Sequence, residues 1–203
     1  MKSSGIILNM GLLGKAAHNS LFAALEVYGL RVNGLDCIDY DKGALFAVKH
    51  RSRLDLPHVI RALEHENPLV IATKLGVLSS NWFTSLLGYT ATPVNNGFGG
   101  TRALVEALQQ GRWVVYTPEA KRVYSSVAEN LSVTLIAAAR RHNVVSYVVG
   151  IDYPSAFPWL PFPVTINIER LKNGNNDEET AENLRGKLAS LSGLEQKLAT
   201  RNH

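Results

Sequence analysis

The chain reads as a single α/β domain with a largely parallel central sheet flanked by helices on both sides. Three observations lead there. Short apolar runs alternate along the chain with longer stretches of helical periodicity. Several of the runs, Ala44 to Val48 and Leu69 to Thr73 among them, are apolar almost throughout, as strands covered on both faces must be. The 203 residues, 46% hydrophobic and 19% charged, suit one domain with its own core.

The elements follow in order. Gly11 to Gly29 carries Leu12, Leu13, Ala16, Ala17, Leu21, Phe22 and Leu25 at helical spacing, so residues 1–29 are expected to hold an amphipathic N-terminal helix, packed on the core or touching a membrane. Leu30 to Val32, Cys37 to Asp39 and Ala44 to Val48 read as extended. A helix is expected from Leu56 to Glu64, a strand over Leu69 to Thr73, a helix over Ser79 to Leu87 and a short strand over Thr92 to Val94. Asn95 to Gly100 is a glycine-rich loop, and Thr101 can N-cap a helix running to Gln110. Trp113 to Thr117 is a strand, Ser126 to His142 a long helix and Val144 to Ile151 a strand. Four prolines, from Pro154 to Pro163, break up the next loop. Val164 to Ile168 returns to strand. Residues 177–199 form a closing helix with Leu184, Leu188, Leu191 and Leu198 on one face.

The formal charge of +4 favours acidic partners: phosphate-bearing substrates, anionic lipid surfaces or nucleic acid. Arg51, Arg53, Lys121, Arg122, Arg140 and Arg141 supply charge, but aromatics are not interleaved with them as a base-stacking platform requires, so no nucleic-acid partner is expected. Cys37 is the only cysteine, which excludes an internal disulfide and a cysteine-rich metal site; its apolar neighbours mark it as a buried small residue. The histidines have no metal-ligand spacing, and neither a metal nor a cofactor is expected. No run approaches the roughly 20 apolar residues of a membrane-spanning helix. Asn9, Lys15 and His18 interrupt the N-terminal apolar region and make a poor secretory signal.

Chemistry concentrates at one strand-to-helix junction. In His50-Arg51-Ser52-Arg53-Leu54-Asp55 a histidine and an acid sit five positions apart, just after the Ala44 to Val48 run. Such junctions expose catalytic groups in α/β folds. A neutral imidazole can take a proton from a hydroxyl, and a carboxylate can hold the far ring nitrogen in the donor tautomer. Asp55, ahead of Leu56-Pro57, is also a good helix N-cap. No nucleophilic Ser or Cys stands in a motif beside the pair.

This block resembles the signature of the glycerolipid acyltransferase superfamily: His, four residues, Asp, usually with Ser two after the His. Further downstream, Gly88 to Asn96 falls where that family has its second block. Val114 to Arg122, containing Pro118-Glu119-Ala120-Lys121-Arg122, is similar to its third, and Val148 to Pro154 to its fourth. The resemblance spans residues 44–154. It implies the glycerol-3-phosphate acyltransferase-like fold over the whole chain, with His50 as general base and Asp55 orienting it. It also implies substrate contacts from Ser52, Arg53, Lys74, Glu119, Lys121 and Arg122. Asn95 and Asn96 replace an Asp-Arg pair whose arginine is implied to hold the acceptor's phosphate, which leaves Lys74, Lys121 and Arg102 as replacements. Lys49 stands where Asn commonly precedes the histidine.

The implied activity moves a fatty acyl group from acyl-CoA or acyl-carrier protein to a hydroxyl of a lysophospholipid or related acceptor. The implied partners are the acyl thioester, a lipid-like acceptor and a membrane surface, with a cytoplasmic location. Two alternatives share the fold: a lipid-binding module without chemistry, and a thioesterase in which water replaces the acceptor.

Overall fold

The computed structural model describes residues 29–52, 54–63, 69–73, 90–93, 98–119, 131–153 and 163–194, with positions 16, 20, 23, 123, 126 and 127. The helices expected over Gly11 to Gly29 and Ser79 to Leu87 lie, apart from those isolated positions, outside these residues.

Seven strands build one sheet: β1 (Leu30–Asn33), β2 (Ala44–Val48), β3 (Leu69–Thr73), β4 (Thr90–Pro93), β5 (Trp113–Tyr116), β6 (Val145–Asp152) and β7 (Val164–Arg170). Their order is β1-β7-β6-β2-β5-β3-β4. β6, β2, β5, β3 and β4 are mutually parallel. β7 runs antiparallel to β6 and carries β1 parallel to itself. The result is the largely parallel α/β sheet, with two reversed strands at one edge.

β2 occupies the centre, and all five of its residues are buried. Its side chains alternate between two cores, as the pleat requires. Ala44, Phe46 and Val48 join Trp113, Val115, Tyr147 and Val149 on one face. Leu45 and Ala47 join Val114, Tyr116 and Val148 on the other. Helix α1 (Asp55–Ala62) covers the first face through Val59 and Ile60. Helices α2 (Phe98–Gln109), α3 (Thr134–Arg141) and α4 (Asp177–Leu191) cover the second, through Leu104 and Leu108, Leu135 and Ile136, and Leu184 and Leu188. Helices thus lie on both sides of the sheet.

Several local expectations are corrected. The strand expected over Cys37 to Asp39 is absent, and Leu35–Cys37 is a 3-10 turn: Gly34 takes a left-handed φ of 85° and its carbonyl accepts the Cys37 amide. That turn leaves Cys37 exposed instead of buried. Among the described residues the helix expected over Ser126 to His142 covers only Thr134–Arg141; ahead of it the Ser132 amide donates across to the Pro118 carbonyl and ties this stretch to the end of β5. Helix α2 already begins at Phe98, which makes Thr101 an interior residue. The closing helix ends at Leu191 within the described residues, and Asn176 caps its start by accepting the Glu179 amide.

Helix α4 lies tight on β6 at Gly150. A Cβ there would come within 2.3 Å of Leu191 Cβ and 2.4 Å of its carbonyl carbon. The Ser192 hydroxyl accepts the Ile151 amide, and Asn167 donates to the Leu191 carbonyl, so the helix end is stapled to both β6 and β7.

Candidate functional site

Strand register brings the site together. β2 pairs with β5 so that Ala47 faces Tyr116, and with β6 so that Val48 faces Val149. Carried past the strand ends, the first register sets His50 beside Glu119 and the second sets Ser52 beside Tyr153. All three strands are parallel, so these residues leave the sheet at the same carboxyl edge, where open α/β sheets place their sites.

His50 Nδ1 lies 3.1 Å from Asp55 Oδ2. With a carboxylate opposite, Nδ1 carries the hydrogen and Nε2 keeps the lone pair. The Asp55 side chain is 2% exposed while that of His50 is 27% exposed, so the acid sits inside and the imidazole reaches the surface. Asp55 Oδ2 also accepts the backbone amides of Arg51 and Ser52, each at 2.6 Å, and Oδ1 accepts the Tyr153 hydroxyl at 2.6 Å. One carboxylate therefore takes four donors, three on Oδ2 and one on Oδ1. The N-cap of α1 is Leu54 and Asp55 is the first residue of the helix, with its carboxylate bonded to His50, Arg51, Ser52 and Tyr153. The N-cap expectation is corrected: the carboxylate turns back onto the loop before the helix.

Behind the imidazole lies a buried ion pair. Lys49 Nζ is 2.7 Å from both oxygens of Glu119, and neither side chain is exposed. The ammonium also donates to the Val123 carbonyl. Glu119 Oε2 accepts the His50 amide at 2.9 Å, and the His50 carbonyl accepts the Val123 amide. Burial lowers Lys49 from the ordinary lysine value, and the Glu119 carboxylate offsets part of that. The acceptor-binding role implied for Glu119 meets a physical obstacle here, because its carboxylate is fully buried and engaged with Lys49 and the His50 backbone.

Of the other expected site residues, Ser52 is buried, and its hydroxyl accepts the Leu54 amide. Arg53, Lys74, Lys121 and Arg122 lie outside the described residues, as do Asn95 and Asn96. Arg102 is exposed on α2 and pairs with Glu106 one turn on. Three residues escaped the sequence reading of the site. Lys49 figured only as a departure from a motif. Tyr153 passed as part of an apolar block. Arg51 counted as surface charge, yet it is buried, with its guanidinium 5.5 Å from the Tyr153 ring centroid. A lysine directly after a fully apolar strand was the available signal, since a charge at that depth needs a partner.

His58, one turn into α1, is buried, and its Nδ1 has no hydrogen-bond partner. Burial lowers its pKa, with Asp55 pulling weakly the other way. Among the described residues no cluster of three or more His, Cys, Asp or Glu could hold a metal. Among them, too, no helix is long and apolar enough to cross a membrane.

No family model matches the chain, and no curated protein matches it in sequence. Among solved structures it is similar to the crystal structure of the 1-acyl-sn-glycerophosphate (LPA) acyltransferase PlsC from Thermotoga maritima. The TM-score is 0.58 at 19% identity, over 91% of this chain and 76% of that one. The two chains share an acyltransferase-like α/β fold.

Proposed function

We propose that this protein is an acyltransferase that moves a fatty acyl group from an acyl thioester, acyl-CoA or acyl-carrier protein, to a hydroxyl of a lysophospholipid or related acceptor. The observation that carries the reading is the His50–Asp55 contact, with its imidazole partly exposed and its carboxylate buried. The acceptor hydroxyl donates to His50 Nε2. As its oxygen bonds to the thioester carbonyl carbon, the proton passes to the imidazole. Asp55 stabilises the imidazolium, the carbon–sulfur bond breaks, and the imidazolium returns the proton to the leaving thiolate. No covalent acyl-enzyme is needed.

Glu119 and Ser52 support the reaction by holding the backbone around His50. Arg53 in the first motif block, Lys121 and Arg122 in the third, and Lys74 directly after the Leu69 to Thr73 run are the proposed cations for an acceptor phosphate or the phosphates of the donor. The substrates are lipids, so the protein is proposed to work at a membrane surface.

The test is a thiol-release assay with acyl-CoA against a panel of lysophospholipids, with product analysis and a His50→Ala control. Acylated acceptor that disappears in the variant supports the reading. Free fatty acid in place of acylated acceptor replaces transfer with thioester hydrolysis. Lipid binding without thiol release replaces both with a non-catalytic lipid-binding protein.

A further inference from the structure

Asp55 divides its two oxygens between different tasks. Oδ2 faces the imidazole and two loop amides, whereas Oδ1 receives the Tyr153 hydroxyl at 2.6 Å. Tyr153 directly follows β6, and its ring is buried. Arg51 lies 5.5 Å from the ring centroid, and His58 stands edge-on at 6.3 Å. Ser52 hydrogen-bonds the phenol as well. The phenol is therefore clamped on several sides and directed at the acid that braces the proposed base.

We infer that Tyr153 is a positioning residue for the reaction, acting through Asp55 to hold the imidazole in place and to set its basicity. The inference rests on the acyl-transfer reading for its kinetic consequence, though not for its electrostatic one. A carboxylate can only accept, so the phenol must donate. Burial, and then the Asp55 charge, push the Tyr153 hydroxyl well above the ordinary tyrosine value, which keeps it a protonated donor throughout the working pH range. Its bond draws negative charge away from Oδ2. A less negative Oδ2 stabilises the imidazolium less, so the phenol sets how strongly Asp55 favours the charged ring over the neutral one. Other charges face the dyad: Lys49 and Arg51 from its own segment, Glu119 from beyond β5, His58 from α1, and Asp152 through Arg51. None of them reaches Oδ1 by a described hydrogen bond, which makes the phenol the separable contribution.

The experiment compares wild type with Tyr153→Phe. The His50 imidazole is titrated by nitrogen NMR, its signals assigned by their loss in His50→Ala. Transfer from palmitoyl-CoA to lysophosphatidate is followed across the same pH range. The expected result is an upward shift of the His50 midpoint, with the acid limb of the rate moving alongside it. The kcat should fall by about tenfold or more, the equivalent of one hydrogen bond to a charged group, with KM nearly unchanged. Should Tyr153→Phe fail to fold, 3-fluorotyrosine at position 153 keeps the ring and strengthens the donor, and the midpoint should move down. A folded variant with an unmoved midpoint overturns the inference, as does a loss of stability with kcat and pH profile intact. A wild type inert toward the thioester sinks the acyl-transfer reading, and the midpoint shift then decides the role of Tyr153 by itself.

Discussion

Lys49 and Glu119 form an ion pair with both side chains fully buried and the ammonium 2.7 Å from each carboxylate oxygen. The pair lies at the carboxyl ends of β2 and β5, and the same carboxylate holds the His50 amide. The proposed base is thus mounted on an internal charge pair.

Removing one member leaves the other charged and unpaired in the interior. Lys49→Met should therefore cost about 3–5 kcal/mol of folding stability. The double variant Lys49→Met/Glu119→Gln keeps a carbonyl oxygen for the His50 amide and should recover most of that loss. Chemical denaturation of wild type, single and double variants checks it. A double variant whose loss equals the sum of the losses of Lys49→Met and Glu119→Gln alone would show that the two residues are energetically independent.

The activity should follow the charge state of the imidazole. Only neutral His50 can accept the hydroxyl proton, so kcat/KM should rise with pH and then level off. A profile that stays flat between about pH 5 and 8 would remove His50 from the role of base. His50→Ala, at a partly exposed position, should leave the melting transition in place while transfer drops by about a hundredfold or more.

His58 should make the fold acid-sensitive. Its buried ring has a lowered pKa, so as pH falls below about 6.5, the ordinary histidine value, the unfolded chain takes up a proton that the native state does not. Native stability then falls with pH until the folded value is reached; above the ordinary value both states are neutral and the contribution vanishes. His58→Phe keeps a ring against Tyr153 and should lose less stability than wild type between pH 7.5 and 5. Parallel stability curves over that interval would contradict the assignment.

Gly150 should resist substitution by alanine even though alanine usually suits a strand better. The added methyl would meet the Leu191 Cβ and main chain, and the helix end is held by Ser192 and Asn167. Gly150→Ala should cost about 1–3 kcal/mol, read from urea unfolding.

Much of the fold was legible because the strands are buried on both faces. The runs Ala44 to Val48 and Trp113 to Tyr116 are buried at every residue, and they and Leu69 to Thr73 are strands within a residue of their expected bounds. The errors fall where backbone bonds outside the regular elements, local or distant, override the periodicity of the sequence. Ser132 reaches Pro118, and Gly34 turns the chain at a position where Cys37 looked extended. The His50–Asp55 pairing was legible from spacing and resemblance. The Asp55–Tyr153 and Lys49–Glu119 contacts were not, since each depends on the register of β2 against a strand about 70 to 100 residues away. Once that register is known, both neighbours follow.

The two loop amides bound to Asp55 complicate any reading of an inactive Asp55 variant. Exchanging the carboxylate for an amide replaces one acceptor oxygen with an NH2 donor, so the two loop amides, the Tyr153 hydroxyl and the imidazole are left with one oxygen between them, and the bend from Arg51 to Ser52 loses part of its anchor together with the imidazole's partner. A dead Asp55→Asn enzyme would therefore record two injuries, one to proton handling and one to the shape of the loop that carries it. Restoring activity with small carboxylic acids added from solution would repair only the first.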